Sequence, residues 1–211
     1  FNLPTMIQQF KVFCLLVLAL FQLSSSGHAQ QFFKQHPQIN PYQYTVVKEQ
    51  SFQKAAELDP KNSDLLVNQA TIHFYQKDYV SAMSLLAKAE EINPLEPNLH
   101  NLRSMILFEE KNYEGALKSV EKAITLDNRQ AYFYNNQGLY HLYLNQLEEG
   151  LTLINQSLAM DDKNPFALRN KGIYYTLAGK KIEALSFLEE LAISHPEMDL
   201  VQEYLTKARA L

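Results

Sequence analysis

The sequence predicts an all-α fold: an α-solenoid of four helix-turn-helix repeats between an N-terminal half-repeat helix and a C-terminal capping helix. A short helix ending recurs every 34 residues, and between these endings the small and large residues keep a constant spacing. The endings are Leu58-Asp59-Pro60, Ile92-Asn93-Pro94, Leu126-Asp127-Asn128, Met160-Asp161-Asp162 and Ser194-His195-Pro196. A unit of this length cannot bury its apolar face alone, so it is stable only when it is stacked on its neighbours.

Each repeat is interpreted as helix A, turn, helix B and turn. The four repeats then span residues 63–96, 97–130, 131–164 and 165–198. Small residues recur where helix A must approach helix B closely: Ala70, Ser104, Gly138 and Gly172 in helix A, and Ala82, Ala116, Gly150 and Ala184 in helix B. Large residues four positions later fill the space between units: Leu86, Val120, Ile154 and Leu188. Burying one such side chain contributes roughly 1.5–3 kcal/mol.

The fourth repeat contains the pattern Leu168-x2-Lys171-Gly172-x2-Tyr175, followed by Ala184-x3-Leu188 and Pro196. This pattern resembles the tetratricopeptide repeat, and the resemblance covers residues 63–198 without insertions. Three residues depart from the family pattern: His100 at a position that is usually apolar, and Asn128 and Asp162 at the position of the terminal proline. The resemblance implies a solenoid in which the helices A line a concave face.

The segments that flank the repeats are predicted to finish the array. Residues 41–62 are predicted to form the half-repeat helix, because Phe52, Ala55 and Leu58 keep the register of a helix B. Residues 30–40 show little periodicity and are predicted to be a linker. Residues 199–211 are predicted to form the capping helix, since a polar outer face keeps a solenoid soluble. Its apolar stripe is Leu200, Val201, Tyr204, Leu205 and Ala208, and its outer face carries Gln202 and Arg209.

Residues 1–29 have the pattern of a signal peptide that is removed on export. Lys11 precedes a ten-residue apolar run, Val12 to Phe21, and Gly27 and Ala29 supply the small residues that a signal peptidase needs. The run is shorter than the roughly 20 residues of a membrane-spanning helix. We therefore expect a periplasmic or otherwise extracytoplasmic protein that is not an integral membrane protein after signal removal. An uncleaved N-terminal anchor is the alternative.

Composition argues against several classes of function. The formal net charge is −4, and a mildly acidic chain lacks the basic patch that nucleic acid requires. Cys14, the only cysteine, lies in the apolar run, so no disulfide or cysteine ligand is expected in the mature protein. No Gly-rich phosphate loop or catalytic triad spacing is present, and we expect neither an enzyme nor a cofactor nor a metal site. The histidines of the repeats are interpreted as packing residues: His73, His100, His141 and His195.

The resemblance also implies where a partner binds. In the family, helix A positions 2, 5, 9, 12 and 13 line the concave face. On this sequence the predicted partner-binding residues are Val67, Thr71, Phe74, Tyr75, Asn98, Asn101, Met105, Phe108, Tyr132, Asn135, Leu139, Tyr143, Phe166, Arg169 and Ile173. The aromatic stripe among them has two interpretations: it packs the helices together, or it anchors an extended segment or helix of a partner, with the asparagines meeting the partner's backbone.

A protein or peptide partner is the preferred expectation, which makes the chain an exported adaptor or scaffold. Some family members bind acidic C-terminal peptides through a clamp of lysine, arginine and asparagine in successive repeats. Here only Arg169 could supply positive charge, so the clamp is absent and an apolar or mixed segment is predicted. The alternatives are a permanent structural subunit of an envelope or secretion assembly, and a receptor for a small ligand or glycan.

Overall fold

The computed structural model describes residues 62–211, and within this range it contains nine α-helices and no strand. The helices are α1 (Ser63–Tyr75), α2 (Tyr79–Ile92), α3 (Pro97–Glu109), α4 (Tyr113–Leu126), α5 (Ala131–Tyr143), α6 (Leu147–Met160), α7 (Pro165–Leu177), α8 (Lys181–Ser194) and α9 (Val201–Ala210). Helices α1, α3, α5 and α7 are the helices A, and α2, α4, α6 and α8 are the helices B. The all-α repeat architecture predicted from the sequence is confirmed for this range.

The ends of the helices follow from local sequence. Asn62, Asp78, Asn112 and Asn164 each accept a hydrogen bond from the first turn of the helix that follows. Such N-caps satisfy backbone N–H groups that have no partner within the helix. Pro97 and Pro165 stand at the first helical position, where a missing N–H costs nothing.

Every turn from helix A to helix B contains one residue with positive φ at the same repeat position. These residues are Lys77, Lys111, Asn145 and Gly179, with φ between 60° and 72°. The N–H of the next residue then donates to a carbonyl of the preceding helix A, for example Asn112 N to Leu107 O at 2.9 Å. This left-handed residue is the standard way to end a helix and reverse the chain.

Within each repeat, helix A packs antiparallel to helix B at the small residues that the sequence indicated. In the third repeat, Gly138 and Gly150 face each other across this contact. A Cβ on Gly138 would lie 2.9 Å from the carbonyl oxygen of Gly150, and a Cβ on Gly150 would lie 2.9 Å from that of Gly138. Only glycine fits this contact without displacing backbone.

The helices A lie on the concave side of the array. Consecutive helices A approach one another closely, from α1 to α3, α5 and α7, whereas no two helices B in the described range do so. A stack curves toward the side on which its elements are closest. Helix α9 continues the series, because it packs on α8 and also on α7, as the helix A of a further repeat would.

Helix α9 caps the array with a buried stripe and a polar outer face. Val201, Tyr204, Leu205 and Ala208 are buried, and the outward positions are polar and exposed. Leu200 precedes the helix in a left-handed conformation, with φ of 69°. No helix in the described range is long and apolar enough to cross a membrane. The predicted signal peptide, linker and most of the half-repeat helix lie outside the described residues.

One departure from the family pattern, His100, has a structural explanation. His100 is buried, and its Nε2 lies 2.8 Å from the carbonyl oxygen of Pro94, so the imidazole fills an apolar position while keeping a hydrogen-bond partner. Burial lowers the pKa of His100, which favours the neutral ring. At Asn128, which replaces a terminal proline, the backbone carbonyl oxygen accepts a hydrogen bond from the Tyr134 hydroxyl at 3.1 Å, and this bond does not depend on the side chain at position 128.

Candidate partner-binding groove

The concave groove is the surface formed by positions 2, 5, 9, 12 and 13 of the helices A. Its residues differ widely in accessibility. Tyr75, Asn98, Tyr132 and Phe166 are exposed, as are three residues at these positions that were not among the predicted partner-binding residues: Asp64, Glu109 and Leu177. Thr71, Phe74, Met105, Phe108 and Tyr143 are half-buried, and Val67, Asn101, Asn135, Leu139, Arg169 and Ile173 are buried. The exposed members are the ones that a partner can contact directly.

The middle of the predicted aromatic stripe packs helices together. Phe108 stacks on Tyr140 at 5.2 Å between ring centroids and meets Tyr143 edge-on at 4.8 Å. Tyr113, at the start of α4, completes the cluster at 5.1 Å from Tyr143. Burial raises the pKa of Tyr140, and burial with the neighbouring Tyr204 hydroxyl raises that of Tyr143. Phe108 and Tyr143 therefore stabilise the contact between repeats and offer a partner only part of their surface.

The rim of the groove keeps large aromatic side chains in contact with solvent. Tyr132 and Phe166 occupy position 2 of consecutive repeats and are 38% and 50% exposed. The Tyr132 hydroxyl donates to Asn98 Oδ1, at the same position one repeat earlier, over 2.6 Å. Tyr75, at position 13 and therefore at the other end of helix A, is 71% exposed. These rings are held on rigid helices, so little conformational entropy of the side chains would be lost when a partner binds.

The buried asparagines of the groove are bonded across the repeats. Asn136 Nδ2 donates to Asn101 Oδ1 at 2.9 Å, and Asn170 Nδ2 donates to Asn135 Oδ1 at 2.8 Å. The predicted residues Asn101 and Asn135 thus use their side-chain oxygens to join consecutive helices A. Their partners, Asn136 and Asn170, were not among the predicted site residues. The sequence contained a signal for these two asparagines, because both occupy position 6 of their repeats.

Arg169 lies at the end of this asparagine network. It is 7% exposed, its Nε donates to Asn170 Oδ1 at 3.0 Å, and its Nη1 donates to the carbonyl oxygen of Asp199 at 3.3 Å. Its guanidinium carbon lies 5.4 Å from the centre of the Phe166 ring. The contact with Asp199 joins the groove to the segment that leads into α9, which sequence spacing alone does not indicate.

The histidines have ordinary structural partners. His73 Nδ1 lies 3.2 Å from Asp78 Oδ2, and His141 Nδ1 lies 2.6 Å from Gln146 Oε1, at the same two positions of repeats one and three. No group of histidine, cysteine, aspartate and glutamate side chains in the described range could hold a metal ion. The groove can offer aromatic surface, amide groups, the exposed carboxylates of Asp64 and Glu109, and one buried cation.

A curved stack of helix pairs with a concave face defines a helical repeat solenoid. The family model of the tetratricopeptide repeat matches residues 97–130, which form the second repeat. Together with the structural matches below, this shows that the described array has the tetratricopeptide repeat fold, which is known for protein–protein interaction.

Several solved structures are similar to this chain. A thermophilic TPR protein from Thermus thermophilus is 17% identical, with a TM-score of 0.66 over 86% of this chain and 99% of that chain. YrrB, described as a TPR protein with an unusual peptide-binding site, is 18% identical, with a TM-score of 0.54 over 81% and 86%. Yeast Tom70 is 21% identical, with a TM-score of 0.59 over 80% of this chain and 37% of that chain. None of the curated protein sequences compared matches the chain.

Proposed function

We propose that this protein is an exported adaptor that binds a segment of a partner protein in its concave groove. The observation that carries the proposal is the exposure of Tyr132 and Phe166 at the same position of consecutive repeats. Large aromatic residues that remain in solvent on a rigid surface are the side chains that most often anchor a protein interface. Tyr75 and Leu177 extend the apolar contact surface at position 13.

The chemistry of the groove favours a segment with apolar side chains. Four of its seven exposed residues are aromatic or aliphatic, namely Tyr75, Tyr132, Phe166 and Leu177, and Arg169 is the only cation among the fifteen predicted residues. We therefore expect affinity to fall only weakly with salt, because exposed charge pairs are screened while apolar contacts are not. A steep loss of affinity between low and high salt would contradict this.

The test of the site compares two triple variants of the protein in affinity capture from the exported fraction. The groove variant is Tyr75→Ala/Tyr132→Ala/Phe166→Ala. The matched control is Val80→Ala/Ile182→Ala/Ile193→Ala, which removes side chains on helices B that are 82–85% exposed. Circular dichroism checks that both variants are folded. A partner that is lost only with the groove variant supports the proposal.

The reverse result would assign a different function. A partner that survives the groove variant and disappears with the control would indicate attachment through the helices B. That result would favour the structural subunit of a larger assembly, copurifying in a fixed ratio.

Export has its own test. N-terminal sequencing of protein recovered from the exported fraction is expected to begin at Gln30, directly after the predicted cleavage at Ala29. A start upstream of Ala29 would contradict cleavage there and favour the uncleaved anchor.

A further inference from the structure

The first two repeats each contain a pair of aromatic rings where helix A ends and helix B begins. The rings of Phe74 and Tyr79 lie 5.8 Å apart between centroids in the first repeat, and those of Phe108 and Tyr113 lie 5.5 Å apart in the second. Each pair occupies positions 12 and 17 of its repeat. The two pairs are therefore equivalent, and differences in what surrounds them are informative.

The residue at position 13 of the next helix A contacts each pair with different chemistry. Phe108 and Tyr113 meet the ring of Tyr143, with centroids 4.8 Å and 5.1 Å away. Glu109 has the same position one repeat earlier, and its carboxylate accepts a hydrogen bond from the Tyr79 hydroxyl. The first pair thus faces a carboxylate where the second pair faces a ring.

This carboxylate and part of the aromatic surface beside it are open to solvent. Glu109 is exposed, and Phe74 and Tyr79 are half-buried. Tyr75, whose ring meets that of Phe74 edge-on at 5.3 Å, is 71% exposed. We call these four residues the aromatic-carboxylate site. A side chain of a partner can reach aromatic surface and a carboxylate oxygen there at the same time.

No lysine or arginine of the described range occupies the aromatic-carboxylate site. Four rings elsewhere have such a cation 4.4–5.9 Å from their centres: Phe166, Tyr175, Phe187 and Tyr204. Within the same range no cation lies over Phe74, Tyr75 or Tyr79, and none forms an ion pair with Glu109. The rings and the carboxylate are therefore left for a cation from outside the chain.

The charges around the site are mainly negative. Burial raises the pKa of Tyr79, and the charge and hydrogen bond of Glu109 and the charge of Asp199 raise it further. The exposed side chain of Asp199 thus places a second carboxylate near the site. Arg169 is close enough for both carboxylates to act on its pKa, but it is buried and forms no ion pair with either. An incoming cation meets two carboxylates and one buried guanidinium.

Aromatic surface beside a carboxylate favours a basic side chain. A guanidinium or ammonium group over a phenylalanine or tyrosine ring is attracted by the ring quadrupole. Its N–H groups can also donate to a carboxylate, and an arginine can donate two parallel hydrogen bonds. An acidic side chain would be repelled by Glu109 and Asp199. A neutral apolar side chain would remove water from Glu109 without replacing the lost hydrogen bonds.

We propose that the aromatic-carboxylate site receives one basic side chain of the partner segment, with its charge at Glu109 and its aliphatic stem on Tyr75. The inference rests on the proposed function and adds a residue class to the partner: an arginine or lysine beside apolar residues. One such residue agrees with the weak salt dependence expected above, because a single exposed ion pair contributes little to affinity.

The test uses two small probes that differ in charge and hardly in shape. N-acetyl-arginine amide carries a guanidinium, and N-acetyl-citrulline amide carries a neutral urea group in its place. The protein is labelled with 3-fluorotyrosine, and fluorine nuclear magnetic resonance follows the signals of Tyr75 and Tyr79, each identified by its absence in the corresponding phenylalanine variant. Both signals are expected to shift with the arginine probe, whose affinity should be at least about threefold higher than that of the citrulline probe.

Two neighbouring exposed glutamates provide a variant and its matched control. Glu109→Gln removes the carboxylate of the site, and Glu110→Gln removes the same charge from the next residue. The preference for the arginine probe is expected to disappear in Glu109→Gln and to persist in Glu110→Gln. Equal affinity for both probes, a preference that survives Glu109→Gln, or one that both substitutions abolish would overturn the proposal. So would the absence of a shift with either probe at tens of millimolar.

A purely structural role for Glu109 predicts a different pattern. Glu109→Gln and Tyr79→Phe would then act alike, because each weakens or removes the hydrogen bond between the two side chains. The proposal expects Tyr79→Phe to keep the arginine preference, since both the ring and the carboxylate remain. Tyr75→Leu should weaken binding of the arginine probe about two- to fivefold, since the face of a ring is lost. Loss of the preference in Tyr79→Phe, or unchanged affinity in Tyr75→Leu, would contradict the proposal.

The captured partner separates this inference from the proposed function. A partner that binds Glu109→Gln as tightly as the unmodified protein, but is lost with the groove variant, would overturn the basic-residue site alone. In peptides of that partner, each arginine is replaced by citrulline and each lysine by norleucine, one at a time. One replacement is expected to weaken binding as much as Glu109→Gln does. If none does, although the arginine probe binds, the site would belong to a free organic cation and the proposal would be wrong.

Discussion

The substitution Gly138→Ala tests the glycine-to-glycine contact between helices α5 and α6 of the third repeat. A Cβ at this position would lie 2.7 Å from Ile154 Cγ1 and 2.9 Å from the carbonyl oxygen of Gly150. Both distances are shorter than real Cβ contacts, and one of the two atoms belongs to backbone. Helices α5 and α6 would have to separate to admit the methyl group.

The expected cost is a difference of two effects. Alanine favours a helix interior over glycine by about 1 kcal/mol. Overpacking a core contact costs about 1–3 kcal/mol. Gly138→Ala should therefore lower the free energy of unfolding by about 0–2 kcal/mol, with the backbone clash placing it in the upper part of that range.

Gly172→Ala provides the matched control, because Gly172 has the same position in the fourth repeat. There the new Cβ would meet Leu188 Cδ2 and Cγ at 2.8 Å, and no backbone atom is among its three nearest neighbours. A side chain can turn away where a backbone cannot. We expect Gly138→Ala to be less stable than Gly172→Ala by about 1 kcal/mol.

Urea unfolding, followed by circular dichroism, measures the difference in free energy of unfolding between the two variants. Repeat arrays can depart from two-state unfolding, so the comparison requires that both variants have the same m-value. A double-mutant cycle with Gly150→Ala adds a second check. Once the helices have separated for one methyl group, the second should cost less than it does alone. Gly138→Ala as stable as Gly172→Ala, or strictly additive costs, would refute the account of this contact.

Three further substitutions test other features of the repeats. Ser157→Ala should stabilise the protein by about 1 kcal/mol, measured by urea unfolding, because the Ser157 hydroxyl is buried without a hydrogen-bond partner; a loss of stability would contradict this. Lys111→Gly should stabilise it by about 0.5–1 kcal/mol, since φ of 62° suits glycine better than lysine; an unchanged stability would show that the turn carries no strain. Because His100 has a lowered pKa when folded, the unfolded chain binds its proton more readily, and stability should fall as pH drops below about 6.5. Thermal unfolding of His100→Leu should show a smaller loss between neutral and acidic pH, and an identical loss would assign it to other groups.

The repeat architecture was predictable because the same packing requirement recurs in each repeat of the chain. Ala70, Ser104, Gly138 and Gly172 all answer the same requirement for closely packed helices, and the 34-residue spacing makes that requirement visible in one sequence. Helix ends were also predictable, because N-caps and prolines at the first helical position depend only on local backbone geometry.

The details of the groove depend on contacts between repeats, which spacing does not reveal. Phe108 and Tyr143 share the predicted stripe with Tyr75 and Tyr132, yet Phe108 packs on both Tyr140 and Tyr143 because consecutive helices A meet there. The bond from Arg169 to the Asp199 carbonyl depends on how α9 closes the end of the array. Sequence periodicity places a residue on a face of a helix, and only the stacking of repeats decides whether that face remains accessible.

Site-specific photo-crosslinking in the producing cells tests the central claim most directly. A photoreactive phenylalanine analogue replaces Phe166 in the groove in one variant and Ile182 on a helix B in another; these side chains are 50% and 82% exposed. The account predicts a crosslinked partner from position 166 and none from position 182, although position 182 is the more exposed. Crosslinking from position 182 alone would contradict a partner-binding groove and place the interaction on the helices B.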